Sequence, residues 1–268
     1  MDALLEHEPH CEHLAITCNR QGQLATNYRG QAKFHLLVLD ERTADRSLMM
    51  TSSFTNMVLA GAFLGRVRGG AGYRATVEAL ARMGKSHLLE HTGTLALVAR
   101  LPFRSAVFLG DGCRHGAARE RALKILESTA ERIPAFAETF LGLRHGPMRA
   151  LHADTLVVAY LSSAPVARAY QLDLIEELRR KGLGLVRLIT GEDLELGPHA
   201  DEIHLNRRGT AEVDDSSAVV LDVMTGQLLA LFRSLHEGLK PDWPSQDGRI
   251  SRVVGGFRIH SHRLGVTA

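Results

Sequence analysis

Residues 155–182 read TLVVAYLSSAPVARAYQLDLIEELRRKG, and this stretch decides the fold class. Its first part, 155–162, is an apolar run typical of a buried strand. Its second part, 163–182, has an early proline and a terminal glycine. Proline is typical of the first turn of a helix and glycine of its end, so this pattern indicates a helix. A buried strand that leads directly into a helix is part of a βαβ unit, so we predict an α/β protein.

The same alternation continues outward in both directions along the chain. We predict helices over 51–65, 73–83, 115–130, 163–182 and 226–238. We predict strands over 14–18, 34–40, 105–110, 155–162, 183–190, 202–206 and 218–224. This order predicts doubly wound parallel sheets with helices on both faces, in which ligands bind outside the carboxyl ends of the strands.

The segment RVRGG at 66–70 breaks the alternation and is the best domain boundary in the sequence. We therefore divide the chain into a first unit over 1–65, a linker with helices over 66–103, a second unit over 104–235 and a C-terminal tail over 236–268. The first unit contains only the later half of a doubly wound domain. A half sheet of this kind is expected to expose a strand edge and apolar surface.

Composition argues against several classes of function. The 268 residues carry a net charge of +2 with acidic and basic side chains interspersed, which argues against nucleic acid as a partner. The 3 cysteines are too few and too irregularly spaced for a disulfide framework, so a reducing cytoplasm is expected. The N-terminus lacks the apolar core of a signal peptide, and no apolar run approaches the ~20 residues of a membrane span. We expect a soluble cytoplasmic protein with no membrane partner.

The helix predicted over 115–130 carries a charged stripe, since Glu120, Lys124 and Glu127 lie at spacings of four and three. One interpretation is a solvated helix face with an ordinary ion pair, which spacing alone favours. The other is a site. Because the helix follows strand 105–110 directly, its first turns would lie at the carboxyl edge of the sheet. Glu127, two turns further in, would then be the most buried of the three, and a partly desolvated carboxylate can act as a general base.

Two loops carry further candidates. GLRHGPM at 142–148 places His145 on a turn, because the following Gly-Pro is unsuited to a helix interior. It is either a surface histidine or an imidazole presented for acid–base work. Ser162 and Ser163 lie where a strand ends and a helix begins. They either cap that helix or help to hold a phosphate or sugar.

The turn FLGDGCRHG at 108–116 falls short of the dinucleotide-binding pattern, because His115 occupies the place of the third glycine. A nucleotide cofactor is therefore not expected, although Gly112 would still allow a ligand to approach the backbone closely. The histidine-rich segment HEPHCEH at 7–13 matches no standard metal site and is interpreted as surface residues. We predict no metal and no cofactor.

Taken together, these segments resemble the sugar isomerase (SIS) domain family. FLGDG, ERALKILE and FLGLRHGPM follow the SIS order of strand, glycine-rich turn, charged helix and R/K-H-G-P loop. LAITCNRQGQLA, MMTSSFTNMVLA, LVVAYLSSAPVARAYQLDLIEELRR and KPDWPSQDGRISRVVGGFRIH resemble the AgaS-type subfamily, called tagatose-6-phosphate ketose/aldose isomerases or galactosamine-6-phosphate deaminase/isomerases. The resemblance covers nearly the whole chain. It implies a flavodoxin-like three-layer αβα fold and a homo-oligomer, either a dimer or a tetramer.

The resemblance also implies roles for single residues. In the isomerase domain of the related glucosamine-6-phosphate synthase, the glutamate at the Glu127 position moves a proton between C1 and C2. The lysine at the Lys124 position lines the same site, and the histidine at the His145 position assists ring opening from across a subunit interface. By position, we assign Glu127, His145 and Lys124 to catalysis. The residues assigned to sugar-phosphate or amino-sugar-phosphate binding are Glu120, Gly112, Ser162, Ser163, Thr51 and Ser52.

The sequence departs from this family at one place. Proteins of this type have two SIS domains, and the first opens with a loop of the S-x-S-G-x-S type that grips the sugar phosphate. No such motif precedes LAITCN at 14–19. Residues 1–65 are therefore expected to be the C-terminal part of a first SIS domain, in an N-terminally truncated chain or a degraded paralogue with one partial and one complete domain.

Two functions remain open. The first is an aldose/ketose isomerase or deaminase, which converts galactosamine 6-phosphate to tagatose 6-phosphate and ammonia by proton transfer through Glu127. The alternative is a non-catalytic SIS module that binds a sugar phosphate or only dimerises, and the missing phosphate loop favours it. An aminating synthase is a weaker third hypothesis, because no glutaminase segment with an N-terminal nucleophilic cysteine is present.

Overall fold

The computed structural model describes residues 1–245 and 247–249, which divide into two compact units. The first comprises Met1–Gly65 together with the described residues after Asp247, and the second comprises Arg66–Asp247. The chain thus divides between Gly65 and Arg66. Much of the tail segment KPDWPSQDGRISRVVGGFRIH lies outside the described residues.

The first unit is a small parallel α/β arrangement. Its strands are β1 (His13–Thr17) and β2 (Phe34–Val38), and its helices are α1 (Asp2–His7), α2 (Gln23–Asn27) and α3 (Ser52–Gly65). The two strands pair in parallel, with Ala15 opposite Leu36. The strand and helix predictions for this unit are therefore confirmed to within two residues. Leu14 and Leu37 are 44% and 37% exposed, as expected for a sheet that has two strands among the described residues.

The second unit is built on five parallel strands. They are β3 (Ser105–Leu109), β4 (Ala135–Glu138), β5 (Thr155–Tyr160), β6 (Val186–Glu192) and β7 (Glu202–Arg207). Its helices are α4 (Gly70–Ala99), α5 (Cys113–Ser128), α6 (Phe140–Leu143), α7 (Pro165–Arg180) and α8 (Asp215–His236). The strand order is β4-β3-β5-β6-β7, which is the flavodoxin-like order with its reversal between β3 and β5.

Helices cover both faces of this sheet. Helices α6 and α7 pack on one face, where Phe140, Leu143 and Leu174 join a buried cluster with Val107 and Val157. Helix α5 packs against β3, β4 and α8 on the other face, and α4 packs along α8. Every residue of β5 is buried, which explains its uninterrupted apolar sequence. The predicted three-layer, doubly wound class is therefore confirmed.

Two elements differ from the prediction. Residues 218–224, predicted as a strand, lie inside α8. The Asp214 carboxylate accepts the Ser217 N–H at 2.9 Å and caps that helix. The segment reads like a strand because α8 packs against both α4 and α5, so its apolar positions spread around the helix. Strand β4 was not predicted, since it is a four-residue edge strand of only intermediate burial.

Helix α8 is also long and apolar enough, by length and composition alone, to cross a membrane. The expectation that no apolar stretch reaches this length is therefore wrong. In the structure, 61% of its most apolar window is buried. Its packing against α4 and α5 accounts for its apolar composition as that of a core helix.

Helix α8 comes very close to α5 at Gly226. A Cβ atom built on Gly226 would lie 2.0 Å from Cδ of Arg121, whose side chain is completely buried. We predict that Gly226→Ala lowers the free energy of unfolding by about 1–3 kcal/mol through overpacking, as measured by urea denaturation. Gly93→Ala in α4 is the matched control, because nothing lies within 4 Å of the added Cβ there. Alanine at residue 93 should be neutral or stabilising, and equal losses at both positions would contradict the packing explanation.

Candidate active site

The direction of α5 determines where the charged stripe lies. Helix α5 begins at Cys113, just after the carboxyl end of β3, and runs back toward the amino ends of the parallel strands. Glu127 lies nearly four turns, or about 21 Å, beyond Cys113. The stripe is therefore not near the carboxyl edge as expected, because Glu127 lies close to the opposite edge of the sheet.

Three side chains of the stripe form a connected set of charges. Lys124 Nζ lies 2.6 Å from Glu127 Oε2 and 3.7 Å from Glu120 Oε1. The Lys124, Glu120 and Glu127 side chains are 9%, 16% and 25% exposed. The interpretation as a solvated face is therefore wrong, and so is the expectation that Glu127 is the most buried of the three. The arrangement is a partly accessible carboxylate held against a buried ammonium group.

Arg121 lies behind the stripe and was missed by the sequence analysis. Its Nη2 donates to Glu120 Oε1 at 3.0 Å, and its side chain has no exposed surface. Burial lowers the pKa of Arg121, and the charge of Glu120 opposes that effect. The nearby glycine of α8, Gly226, leaves the space that this side chain fills. The sequence around Arg121 does not indicate that its side chain is buried, because the burial depends on the contact between α5 and α8.

Ser162 and Ser163 lie at the carboxyl end of β5, but an internal carboxylate occupies their donors. Both hydroxyls donate to Asp215, with Ser163 Oγ at 2.7 Å, and the Ser163 N–H donates to it at 2.8 Å. Burial raises the pKa of Asp215, but the hydrogen bond from Ser162 and the charge of Arg114 help to lower it to about 2. The carboxylate is therefore ionised at neutral pH. A phosphate could use these serines only by displacing Asp215, so their assignment to substrate binding stays a prediction.

A buried network of charged residues lies at the same edge. Arg114 Nη1 donates to both oxygens of Asp222, at 3.1 and 2.9 Å, and its Nη2 contacts Glu192 and Asp215. Arg207 Nη2 lies 2.5 Å from Asp222 and 2.9 Å from Glu192. This network was not predicted from the sequence, because its members are far apart along the chain. Its members lie at or follow the carboxyl ends of β3, β6 and β7, the edge at which a doubly wound fold binds ligands.

Gly112 and His145 are both accessible. Gly112 precedes α5 at the carboxyl edge with φ +54, a conformation that favours glycine. His145 is exposed and follows α6, on the face of the sheet that α7 covers. Glu127 belongs to α5 on the other face. The sheet therefore separates His145 from Glu127 within one chain.

Thr51 and Ser52 belong to the first unit, at the start of α3. The Asp45 carboxylate accepts the backbone N–H groups of Thr51, Ser52 and Ser53 at 2.8, 3.1 and 2.9 Å. Burial raises the pKa of Asp45, but the hydrogen bonds from Ser53 and Thr51 outweigh burial and leave the pKa below its usual value. A second internal carboxylate thus occupies donors that were assigned to substrate. That assignment also stays a prediction.

The histidine-rich segment at 7–13 contains no metal cluster. In the described part of the chain, no group of three or more His, Cys, Asp or Glu side chains is arranged to hold an ion. Cys11 Sγ and the His13 ring instead contact Glu8, at 3.8 and 3.3 Å.

The sequence and the fold were compared with those of known proteins. A protein of Streptomyces coelicolor that bears the name AgaS is 39% identical over 255 residues, covering 93% of this chain and 64% of its own length. The D-galactosamine-6-phosphate deaminase AgaS of Escherichia coli is 36% identical over 260 residues, covering 94% of this chain and 65% of its own. The crystal structure of the E. coli tagatose-6-phosphate ketose/aldose isomerase superposes with a TM-score of 0.75 at 30% identity, covering 95% of this chain and 65% of that one. No family model matches the sequence.

The flavodoxin-like sheet and the charged helix α5, together with these neighbours, define a SIS-type sugar isomerase fold. Within that class, the chain is a homologue of the AgaS-type proteins over nearly its whole length. It spans 64% and 65% of the length of the curated relatives it matches, which is slightly less than two thirds.

Proposed function

We propose that this chain provides the proton-transfer site of an AgaS-type sugar-phosphate isomerase or deaminase. The observation that carries the proposal is the Lys124–Glu127 pair, 2.6 Å apart, in which Glu127 keeps a quarter of its side chain accessible. A carboxylate that exchanges protons with a substrate has to be reachable, and the Lys124 ammonium group places a positive charge beside it. The homology to AgaS-type proteins supports the same assignment.

The chemistry follows from these residue types. In galactosamine 6-phosphate, Glu127 would remove the proton from C2 of the open-chain aldose and leave an enolamine. Returning that proton to C1 gives an imine at C2. Water adds to the imine, and ammonia leaves, so one substrate and one water yield one tagatose 6-phosphate and one ammonia. Lys124 would stabilise negative charge near the reacting carbons, and His145 would assist ring opening.

This assignment requires more than one copy of the chain. Since the sheet separates His145 from Glu127 in one copy, a site that uses both groups has to take them from two protomers. The proposed enzyme is therefore a homo-oligomer. Glu120, Lys124 and Glu127 would come from one protomer and His145 from its partner.

The direct test is to incubate the purified chain with galactosamine 6-phosphate and to measure ammonia and tagatose 6-phosphate together. Equal amounts of the two products would support the deaminase. Conversion of a ketose phosphate to an aldose phosphate without ammonia would support the isomerase instead. Product formation in neither assay would count against catalysis by this chain.

A non-catalytic module is the second candidate, and one structural feature favours it. Asp45 and Asp215 already occupy the donors at residues 51–53 and 162–163, where a phosphate was expected. Occupied donors favour the form of this module that only dimerises, so isothermal titration would detect no sugar-phosphate binding and the ammonia assay no turnover.

A further inference from the structure

A cavity of about 670 Å³ lies between α4 and the carboxyl end of β7 in the second unit. We call it the α4–β7 cavity. No residue of α5 lines it, so it is separate from the Glu127 stripe. Its wall includes His87 and Arg207, which are only 1% and 3% exposed, together with Thr210. Its lining therefore combines buried polar side chains with apolar surface such as that of Met83.

These three residues have polar atoms that the rest of the fold leaves unpaired. His87 Nδ1, Arg207 Nε and Nη1, and Thr210 Oγ1 are all buried without a hydrogen-bond partner among the described residues. A buried polar group without a partner costs about 1–3 kcal/mol, and native proteins keep few of them. The residues that carry these atoms line one cavity, and a ligand there could complete their hydrogen bonding after small side-chain shifts.

The tautomer of His87 follows from its other nitrogen. Nε2 lies 3.0 Å from Thr225 Oγ1, and that hydroxyl donates its only proton to Leu221 O at 3.1 Å. The hydroxyl therefore accepts from His87, so Nε2 carries the hydrogen. Burial, assisted by the charge of Arg207, lowers the pKa of His87 to about 3 and keeps the ring neutral. His87 Nδ1 is consequently an acceptor that needs a donor, such as a hydroxyl group.

Arg207 offers the opposite chemistry. Its Nη2 is already bound to Asp222 at 2.5 Å and to Glu192 at 2.9 Å, which fixes the guanidinium plane. Nε and Nη1 remain as rigidly held donors. An arginine presents such donors in a geometry that matches carboxylate and phosphate oxygens. The wall of the cavity thus combines one acceptor with a pair of strong donors.

The rim of the cavity is also suited to an anion. Arg82 and Arg208 are exposed there, and neither forms an ion pair with the described part of the chain. The two rim carboxylates already have partners, since Glu90 accepts from Ser86 and Asp193 accepts a backbone N–H at 3.0 Å. These donors are neutral, so both carboxylates keep their charge, and Arg82 and Arg208 are the two cations that an anion would meet at the entrance.

We propose that the α4–β7 cavity binds a small hydroxylated anion. Its phosphate or carboxylate group would contact Arg207 and Arg208, and one of its hydroxyl groups would donate to His87 Nδ1. Thr210 Oγ1 would supply a further hydrogen bond. The site is distinct from the proton-transfer site and would hold a second ligand during turnover.

Isothermal titration of the full chain with three probes tests this assignment. Glycerol 3-phosphate carries both required groups, whereas inorganic phosphate and glycerol carry one each. Glycerol 3-phosphate is expected to bind at least about tenfold more tightly than either fragment.

His87→Gln keeps a side-chain amide near Thr225 but removes the Nδ1 acceptor. It should weaken glycerol 3-phosphate about tenfold and leave phosphate binding unchanged.

Two further variants keep the test decisive if His87→Gln fails to fold. Thr210→Val and Arg208→Ala should each weaken glycerol 3-phosphate, whereas Arg180→Ala, at an exposed arginine at the end of α7, should not. Glu127→Gln should also leave this binding intact, which separates the cavity from the proposed reaction. The proposal is overturned if the chain shows no saturable binding. It is also overturned if Thr210→Val and Arg208→Ala bind the probe as tightly as the unmodified chain.

Discussion

Replacing Glu127 by glutamine is expected to lower kcat for ammonia release from galactosamine 6-phosphate by about 10²–10⁴-fold. Glutamine has nearly the same shape but cannot accept a proton from C2. The contact with Lys124 Nζ, now 2.6 Å from the carboxylate, can be kept by the amide oxygen. KM should change little, because the substitution removes a proton acceptor rather than a binding group. Steady-state assays of ammonia release measure both constants.

Glu131→Gln is the matched control for this prediction. Glu131 is an exposed glutamate just beyond the end of α5, so the same loss of charge there should leave kcat unchanged. Unaltered turnover in Glu127→Gln would remove Glu127 from the role of base. Similar losses in both variants would point to a general effect on the helix instead.

A mixing experiment extends the test to His145. Glu127→Gln and His145→Gln should each be nearly inactive alone. Mixing the two proteins under conditions of subunit exchange should restore part of the activity, because some sites would combine an intact Glu127 with an intact His145 of the partner. If mixing restores nothing although subunits exchange, the two residues do not meet across an interface.

Replacing Arg114 by methionine is expected to lower the free energy of unfolding by about 3–5 kcal/mol. Arg114 is 1% exposed and contacts three carboxylates, those of Asp222, Glu192 and Asp215. Methionine fills a similar volume but leaves Asp222 and Glu192 with only Arg207 as a cationic partner. Asp215 would keep only its hydrogen bonds from Ser162 and Ser163. Burial already raises the pKa of Asp222 against the charges of Arg114 and Arg207, so the loss of one arginine should favour its protonation. Urea denaturation followed by circular dichroism gives the change.

Arg119→Met provides the comparison for Arg114→Met. Arg119 lies on the same helix but is exposed, so its loss should change the free energy of unfolding by less than about 0.5 kcal/mol. A loss below about 1 kcal/mol in Arg114→Met would mean that the network contributes little to stability.

Local sequence patterns predicted most of the fold, but they did not predict which polar side chains are buried. The apolar run at 155–162 and the marked helix at 163–182 correspond to β5 and α7, because alternation and end signals depend on neighbouring residues. The apolar run at 218–224 was misread as a strand. Its burial comes from packing against α4 and α5, which neighbouring residues do not reveal.

The candidate site was likewise predicted only in part: local spacing indicated which residues share a helix face, but not their tertiary contacts. Spacing alone placed Glu120, Lys124 and Glu127 on one stripe of α5, and the structure joins them through Lys124. Spacing did not show that Lys124 is buried while Glu127 stays partly accessible, or that Glu127 lies near the amino edge of the sheet. Ser162 was placed correctly at the end of a strand, yet the partner of its hydroxyl is Asp215, 53 residues away.

By itself, the sequence determined most of the strands and helices and the one-sided charge of α5. All of these depend on residues within a few turns of each other. Only the tertiary structure decided which charged groups are buried and paired. Arg114 and Asp222, for example, are 108 residues apart in the sequence and meet only after the sheet is assembled. The pairing of distant charges depends on packing in three dimensions, and a periodic pattern in one dimension does not contain it.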